Sequence, residues 1–312
     1  MNVLRGVINQ NQFAKGVVAT IGNFDGVHLG HQNLIKNLKE KAAIMKLPLV
    51  VVTFEPQPRE YFQRNKAPAR LTSFREKVEL LKRCGVDYIY CIQFNDKIAQ
   101  TDAREFASKL LFSELKVKYL LVGEDFHFGK NREGTVSLLK SLGYEYSCQV
   151  DTYSDFPIED EKVSSSKIRK ALDHADFSLA AKYLGRPYSI CGRVLSGDGR
   201  GRQWGIPTAN LGLKRISLPL HGVFVVQVKR AGTTHSGVAN LGSRPTVDGT
   251  KNILEVHLFD FNESLYGELL EVSFLHKLRG EVKFSSVDDL IAQIRMDIEA
   301  GKDFFNHESV MS

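Results

Sequence analysis

The rhythm of apolar and polar positions changes once along the chain. Up to about residue 186, short apolar runs alternate with longer amphipathic stretches. The runs are Val17–Ile21, 48–54 (PLVVVTF), 88–94 and 118–122, and 144–150 reads as a fifth. Nearly continuous apolar strands suit a parallel sheet covered on both faces. Between them, 31–45, 74–83, 102–111 and 134–142 have helical spacing, so this half predicts βαβ units in a doubly wound sheet. Beyond residue 186 the strand-like runs 223–228 (VFVVQV), 236–241, 253–259 and 269–275 follow closely, with a hairpin turn at 230–233 (RAGT). Such strands joined by glycine-bearing turns predict a small antiparallel barrel. A last helix is expected over 286–300, with Asp288 and Asp289 in its first turn and Leu290, Ile291, Ile294 and Ile298 along one face. The acid-rich 151–162, which contains Pro157, reads as a loop, and helices 166–173 and 177–184 bridge the halves. The fold class is therefore α/β: residues 1–186 form a parallel-sheet domain, and 187–312 a β-barrel domain ending in a helix.

Composition narrows the function. The chain has 312 residues, 43% hydrophobic and 25% charged, which excludes disordered, collagen-like and coiled-coil chains. Net charge is 42 − 36 = +6. Residues 1–186 hold 28 basic and 22 acidic side chains, and 187–312 hold 14 of each, so the surplus lies wholly in the first half. An excess of this size suits anionic small molecules as well as it suits nucleic acid. Cys84, Cys91, Cys148 and Cys191 form no C-x-x-C pair, and read as buried or free thiols of a reducing compartment. No signal-like N-terminus and no apolar run of roughly 18–20 residues occurs, so a cytoplasmic protein without a membrane partner is expected.

The first chemical motif follows the first buried strand: Gly22-Asn23-Phe24-Asp25-Gly26-Val27-His28-Leu29-Gly30-His31, and then a helix. A strand, a glycine-bearing loop and a helix N-terminus make an anion site, because free N–H groups and the helix dipole face the ligand. His28 and His31 stand either side of Gly30, which lets the backbone approach a phosphate. Two histidines at a helix start are by themselves ordinary surface or core residues; the H-x-G-H spacing after G-x-F-D-G is what distinguishes them. This loop resembles that of the H-x-G-H nucleotidyltransferases, Rossmann-like domains in which both histidines stabilise the α-phosphate of ATP or CTP during in-line attack. Catalysis of that kind is positioning plus charge stabilisation. Val163-Ser164-Ser165-Ser166-Lys167-Ile168-Arg169 resembles the same family's I-S-S-T-x-I-R segment. The resemblance gives Ser164, Ser165 and Arg169 the triphosphate oxygens, with Arg169 a charge-assisted donor; otherwise the serines merely cap a helix. Gly123-Glu124-Asp125-Phe126-His127-Phe128-Gly129 resembles the flavin-binding G-x-D-F-x-F-G stretch of the bacterial flavin-adenylating subfamily, with His127 where arginine is usual. It implies flavin contacts from Asp125 and from Phe126 or Phe128, one of the two rings being core. Asn23 and Asp125 are expected to meet nucleotide or flavin, and Gly22, Phe24, Asp25 and Gly30, with Asn23, to bind ATP and its phosphates.

The second half opens with 192–202, where glycines alternate with basic residues and backbone amides can wrap phosphates; Gly199, Gly201 and Arg202 are its candidates. It runs into Gly205-Ile206-Pro207-Thr208-Ala209-Asn210, whose P-T-A-N resembles the riboflavin kinase signature. That resemblance assigns Thr208 and Asn210 to Mg²⁺ and ATP phosphates, and their oxygens are suitably hard ligands. Without it, the segment is a polar turn after Pro207. Glu255 lies in the alternating strand 253–259, where the resemblance makes it the general base for the ribityl hydroxyl; the plain alternative is a solvent-facing acid beside His257. Arg279 and the terminal helix are expected to close over the flavin, and 242–246 to form a mobile loop near the nucleotide.

Together the resemblances cover residues 15 to 300 and are similar to the bacterial bifunctional riboflavin kinase and FAD synthetase family. That implies phosphorylation of riboflavin to FMN, adenylylation of FMN to FAD with release of pyrophosphate, and Mg²⁺ in both steps. The implied partners are the small molecules riboflavin, FMN and ATP, with no nucleic acid; self-association is left open. H-x-G-H enzymes acting on phosphopantetheine, nicotinate mononucleotide or glycerol phosphate are disfavoured by the barrel motifs. A nucleotide- or flavin-binding regulator with degenerate sites is disfavoured by the intact His28, His31, Thr208, Asn210 and Glu255.

Overall fold

The apolar runs of the first half lie side by side as six parallel strands. They are β1 (Asn2–Arg5), β2 (Val17–Ile21), β3 (Leu49–Glu55), β4 (Tyr88–Gln93), β5 (Val117–Gly123) and β6 (Gln149–Tyr153), in the order β1-β4-β3-β2-β5-β6. The computed structural model describes residues 1–6, 11–154, 157–158, 161–196, 200–213, 215–246 and 249–311. Period-2 alternation sends neighbouring side chains to opposite faces. Val17, Ala19, Val50 and Val52 accordingly enter one apolar cluster, and Val18, Leu49 and Val51 another. Helices cover the sheet: α1 (Leu29–Met45), α2 (Pro58–Gln63), α3 (Phe74–Arg83), α4 (Asp96–Gln100), α5 (Ala103–Glu105) and α6 (Val136–Glu145). β2 sits between β3 and β5, so the winding reverses there and leaves a crevice at the strand ends.

Several expectations shift. The strand expected over 144–150 is Gln149–Tyr153 (β6); Tyr144 belongs to α6 and is almost wholly exposed. The start of the supposed loop 151–162 is therefore strand, and the short hairpin β7 (Pro157–Ile158) and β8 (Glu161–Lys162) follows. The helix expected over 102–111 is the single turn α5 continued as a π-helix, Phe106–Glu114. β1 escapes sequence reading because a mostly exposed four-residue edge strand carries no apolar run.

The chain divides into two compact units, Met1–Pro68 with Thr72–Ser165, and Ala69–Leu71 with Ser166–Ser312. The helices α7 (Ser165–Asp173) and α8 (Phe177–Leu184) thus fall almost entirely in the second unit. Its barrel is closed and antiparallel: β9 (Ser189–Leu195), β10 (Ala209–Gly212), β11 (Gly222–Arg230), β12 (Thr233–Thr246), β13 (Gly249–Leu258) and β14 (Leu269–Arg279), in the order β10-β13-β12-β11-β14-β9. The single turn α9 (Arg200–Gln203) precedes β10, and α10 (Val287–Met311) ends the chain. Gly192 to Leu195 belong to β9, so the glycine-rich loop is shorter than its sequence suggests; Gly199 lies outside the described residues. Residues 242–246 are not a loop: they extend β12 and pair with 249–253 of β13. Ile206, Val238 and Ile298 form a buried cluster with Ile291 and Ile294 against it, seating α10 on the outer face of the barrel.

Candidate active sites

In the first unit, the loop after β2 is held in an unusual backbone. Phe24 (φ +48°), Gly26 (φ +84°) and Val27 (φ +41°) all take left-handed conformations. For residues with a Cβ this costs of order 1–3 kcal/mol each and persists only where the surroundings enforce it. The enforcing contacts are visible. The Asp25 carboxylate accepts from Thr72 N–H (3.1 Å) and the Thr72 hydroxyl (3.3 Å), and Gly26 N–H donates to Thr72 Oγ1 (3.0 Å). Ser165 Oγ donates to the Asp25 carbonyl (2.9 Å). Asp25 and Phe24 are both buried, Asp25 tying the loop to Thr72 and Phe24 packing with its ring centre 5.0 Å from that of His31. Asn23 beside them is exposed.

His28 caps α1, its Nδ1 accepting from His31 N–H at 3.4 Å. The two imidazoles stack with centroids 3.6 Å apart. A Cβ on Gly30 would stand 3.3 Å from the His28 ring and 3.9 Å from the Val163 carbonyl, so glycine keeps this contact open. His31 is held well below its ordinary pKa by burial first, then by the neighbouring His28 and Lys77. Its Nδ1 is buried and has no hydrogen-bond partner. His31 is therefore a ring that resists protonation, stacked on His28 at a helix N-terminus.

The loop after β5 flanks the same crevice. Asp125 is exposed and lies 3.7 Å from Lys162. Phe128 is buried in the core and Phe126 only partly buried, their rings stacked at 5.6 Å; Phe128 is thus the core ring of the two, and Phe126 the one available to a flavin. Sequence reading missed the aromatic chain beyond them. Phe128 meets Phe106, Phe106 meets Phe54, Phe54 meets Phe94, and Phe94 meets Phe62, which is 64% exposed. These rings come from five separated segments, so no local pattern announces them. Arg169 is grouped with the second unit, where its Nε donates to the Ala69 carbonyl.

In the second unit, a cavity of about 720 Å³ gathers Gly201, Thr208, Asn210, Glu255 and Arg279 along its lining. Strand register explains the juxtaposition. Asn210 of β10 is directly opposite Glu255 of β13, and Glu255 is directly opposite Asn240 of β12. Opposed residues on one face stand within side-chain contact of each other. Asn240 lines the cavity and was not anticipated; only register places it there. Along β13, Leu254, Val256 and Leu258 are buried while Ile253, Glu255 and His257 are half-buried, and Glu255 opens onto the cavity. His257 Nδ1 lies 2.9 Å from the Pro207 carbonyl and ties β13 to the P-T-A-N turn.

Gly201 closes that turn: its carbonyl accepts from Ile206 N–H (2.8 Å), and a Cβ there would stand 2.5 Å from Ile206 O and 3.1 Å from Thr208 Oγ1. The Asn210 Oδ1 is buried without a hydrogen-bond partner. An orphaned hard oxygen next to a carboxylate and near a hydroxyl fits Mg²⁺, whose usual protein contribution is one or two oxygens beside substrate phosphates. Arg279 is fixed by a two-pronged pair with the buried Asp297 of α10, Nε to Oδ1 at 3.0 Å and Nη2 to Oδ2 at 2.8 Å, and Gln293 supports the same carboxylate.

Comparison with known proteins follows the same division. The FAD synthetase family model matches residues 10–167, and the riboflavin kinase model residues 184–305. The bifunctional riboflavin kinase/FMN adenylyltransferase of Haemophilus influenzae is 44% identical over 98% of this chain and 100% of its own length. The Escherichia coli K12 protein of the same name is 45% identical over 98% of each chain. A crystal structure described as a macrolide-efflux protein from Streptococcus pneumoniae superposes with a TM-score of 0.78, at 32% identity, over 96% of this chain and 98% of its own. Among the described residues of the present chain, no helix is long and apolar enough to cross a membrane.

Proposed function

The chain belongs to the bifunctional riboflavin kinase/FMN adenylyltransferase family, and from that premise we propose how its two reactions divide between the two sites. Riboflavin and ATP give FMN and ADP; FMN and a second ATP give FAD and pyrophosphate. The barrel cavity takes the first reaction and the β2–β5 crevice the second, with the boundary between the catalytic domains at 186/187. The observation that carries this reading is the row Asn210–Glu255–Asn240 across three strands in one cavity with Thr208.

In the barrel, Glu255 accepts the proton of the ribityl hydroxyl as it attacks the γ-phosphate. Thr208 and Asn210 would hold Mg²⁺, which when bound neutralises charge on the phosphates. The backbone at Gly201 and the neighbouring Arg202 receive phosphate oxygens, and Arg279, preset by Asp297, meets the flavin. In the crevice, the positive end of α1 and the His28–His31 pair receive the α-phosphate, with Gly22, Asn23, Ser164 and Ser165 toward the triphosphate; Arg169 is the charged donor that its motif assigns to this reaction. A neutral His31 donates through one nitrogen; an arriving polyphosphate favours its charged form and so strengthens that contact as the pentacoordinate state builds charge. Phe126, with Phe62 and Phe94 beyond, offers an aromatic wall for the isoalloxazine, and Asp125 a polar end. The chain acts in the cytoplasm on small molecules, without nucleic-acid or membrane partners.

The test is direct. Purified protein with riboflavin, ATP and Mg²⁺ yields FMN and then FAD by flavin chromatography; formation of neither would overturn the proposal.

A further inference from the structure

We propose that Arg230 is a positioning residue for riboflavin phosphorylation, because it fixes the loop that walls the kinase cavity. The loop joins the end of β13 at Leu258 to the start of β14 at Leu269, and every residue of it from Phe261 to Tyr266, Glu263 included, lines the cavity that also holds Thr208 and Glu255. The inference rests on the reading of that cavity as the kinase site.

Arg230 ends β11 at a tight hairpin. Ala231 (φ +45°) and Gly232 (φ +94°) both take positive φ, the geometry of two-residue hairpin turns, and Thr233 Oγ1 donates to the Arg230 carbonyl at 2.8 Å. From this rigid base the guanidinium makes three contacts with the loop. Its Nε and Nη2 donate to Glu268 at 2.6 and 2.8 Å, a two-pronged pair. Its Nη1 donates to Glu263 at 2.6 Å. Its Cζ lies 5.4 Å from the centre of the Phe261 ring, whose edge meets His235. The two carboxylates push the guanidinium pKa further up, and Arg230 in turn holds Glu268 below the usual carboxylate range.

The contacts differ in what they hold. The Glu268 end is independently pinned to β9, since Val194 N–H donates to Glu268 O (2.9 Å) and Gly267 N–H to Val194 O (3.0 Å). Glu263 stands mid-loop, and the Glu263 and Phe261 contacts carry Arg230's hold to the part that walls the cavity. Arg230 touches no substrate in this arrangement. It acts by restricting the loop to the conformation that presents Phe261, Leu265 and Tyr266 inward. The restriction lowers the ordering that substrate binding must otherwise impose. Because Glu263 is 68% exposed, its share of the hold is screened by salt.

The experiment compares wild type with Glu263→Gln and Arg230→Gln in the full-length protein. Both half-reactions are measured from about 0.05 M to about 0.5 M salt. The expected result is a rise of roughly fivefold in the KM of riboflavin or ATP for phosphorylation, with kcat held within about twofold. The wild-type KM rises with salt toward that of Glu263→Gln, whose own KM is insensitive to salt. Adenylylation of supplied FMN is unchanged in both variants. A KM equal to wild type at low salt in Glu263→Gln overturns the proposal. So does a change confined to thermal stability, which is what a purely structural clamp would give. Glu255→Ala, run alongside, separates the two failures: if it abolishes phosphorylation while Glu263→Gln leaves KM alone, the cavity assignment stands and the clamp falls.

Discussion

The two candidate sites solve the same problem, holding a polyphosphate beside a flavin, with opposite means. The crevice site is built from backbone. Strained φ angles at Phe24 and Val27, a helix N-terminus and a glycine at van der Waals distance from His28 are its defining features, and its side chains are already packed against one another. The barrel site is built from strand register. Its reactive groups come from β10, β12, β13 and β14, and one of them, Asn210 Oδ1, is left buried without a protein partner. A site made of backbone tolerates little change in main-chain shape. A site made of facing side chains depends on each group and on the clamps that aim it.

The sharpest break of that contrast is at Glu255. Glu255→Ala is expected to reduce phosphorylation of riboflavin at least about a hundredfold, as loss of a general base does, while FMN supplied to the variant is still adenylylated. In the crevice, His31→Ala is expected to reduce FAD formation by about 10²- to 10³-fold, as loss of a donor to developing charge does, and FMN accumulates instead. Gly201→Ala comes next. Its Cβ would meet the Ile206 carbonyl at 2.5 Å, so the turn bearing Thr208 must move, and roughly a tenfold loss in kinase kcat/KM is expected from overpacking of this size. Steady-state rates with and without added FMN check all three.

The smallest effect is thermodynamic and concerns the crevice alone. The His31 pKa is lower in the folded chain than its ordinary value of 6.5, so below that pH the unfolded chain binds a proton the native state refuses. Stability contributed by the neutral ring is present above pH 6.5 and is lost as pH falls from there toward the folded pKa. Denaturant midpoints measured between about pH 7 and about pH 5 should fall less steeply in His31→Leu than in wild type. An identical slope would mean the buried stack does not resist protonation.

Both sites were partly legible before the fold was known, and for different reasons. His28, Gly30 and His31 lie within four residues on a strand–loop–helix, so local order alone places them together. Thr208 and Asn210 are two residues apart and read as a motif in the same way. Glu255 was visible as an acid in an alternating strand, yet its cross-strand partner Asn240 and the Asp297 that holds Arg279 were not, because register and helix packing bring them in from distant segments. The same limit hid the Phe54–Phe94–Phe62 aromatic chain and the Thr72 contacts to Asp25. Burial shows what the motifs alone do not, that Asp25, Phe24 and Phe128 also pack the loops that carry them. Among fold elements, the buried parallel strands β2 to β5 were legible to within a residue, whereas β12, β13 and β14 run several residues beyond the apolar stretches that announce them. The exposed edge strand β1 and the four-residue β10 carry too little apolar sequence to be seen.

The central claim is that the two sites are chemically independent and joined only by FMN passing from one reaction to the other. It is tested by mixing equal amounts of His31→Ala and Glu255→Ala with riboflavin, ATP and Mg²⁺. Alone, the first stops at FMN and the second leaves riboflavin unconverted; together they are predicted to produce FAD. A mixture that forms FMN but no FAD, while Glu255→Ala alone still adenylylates supplied FMN, would contradict the account.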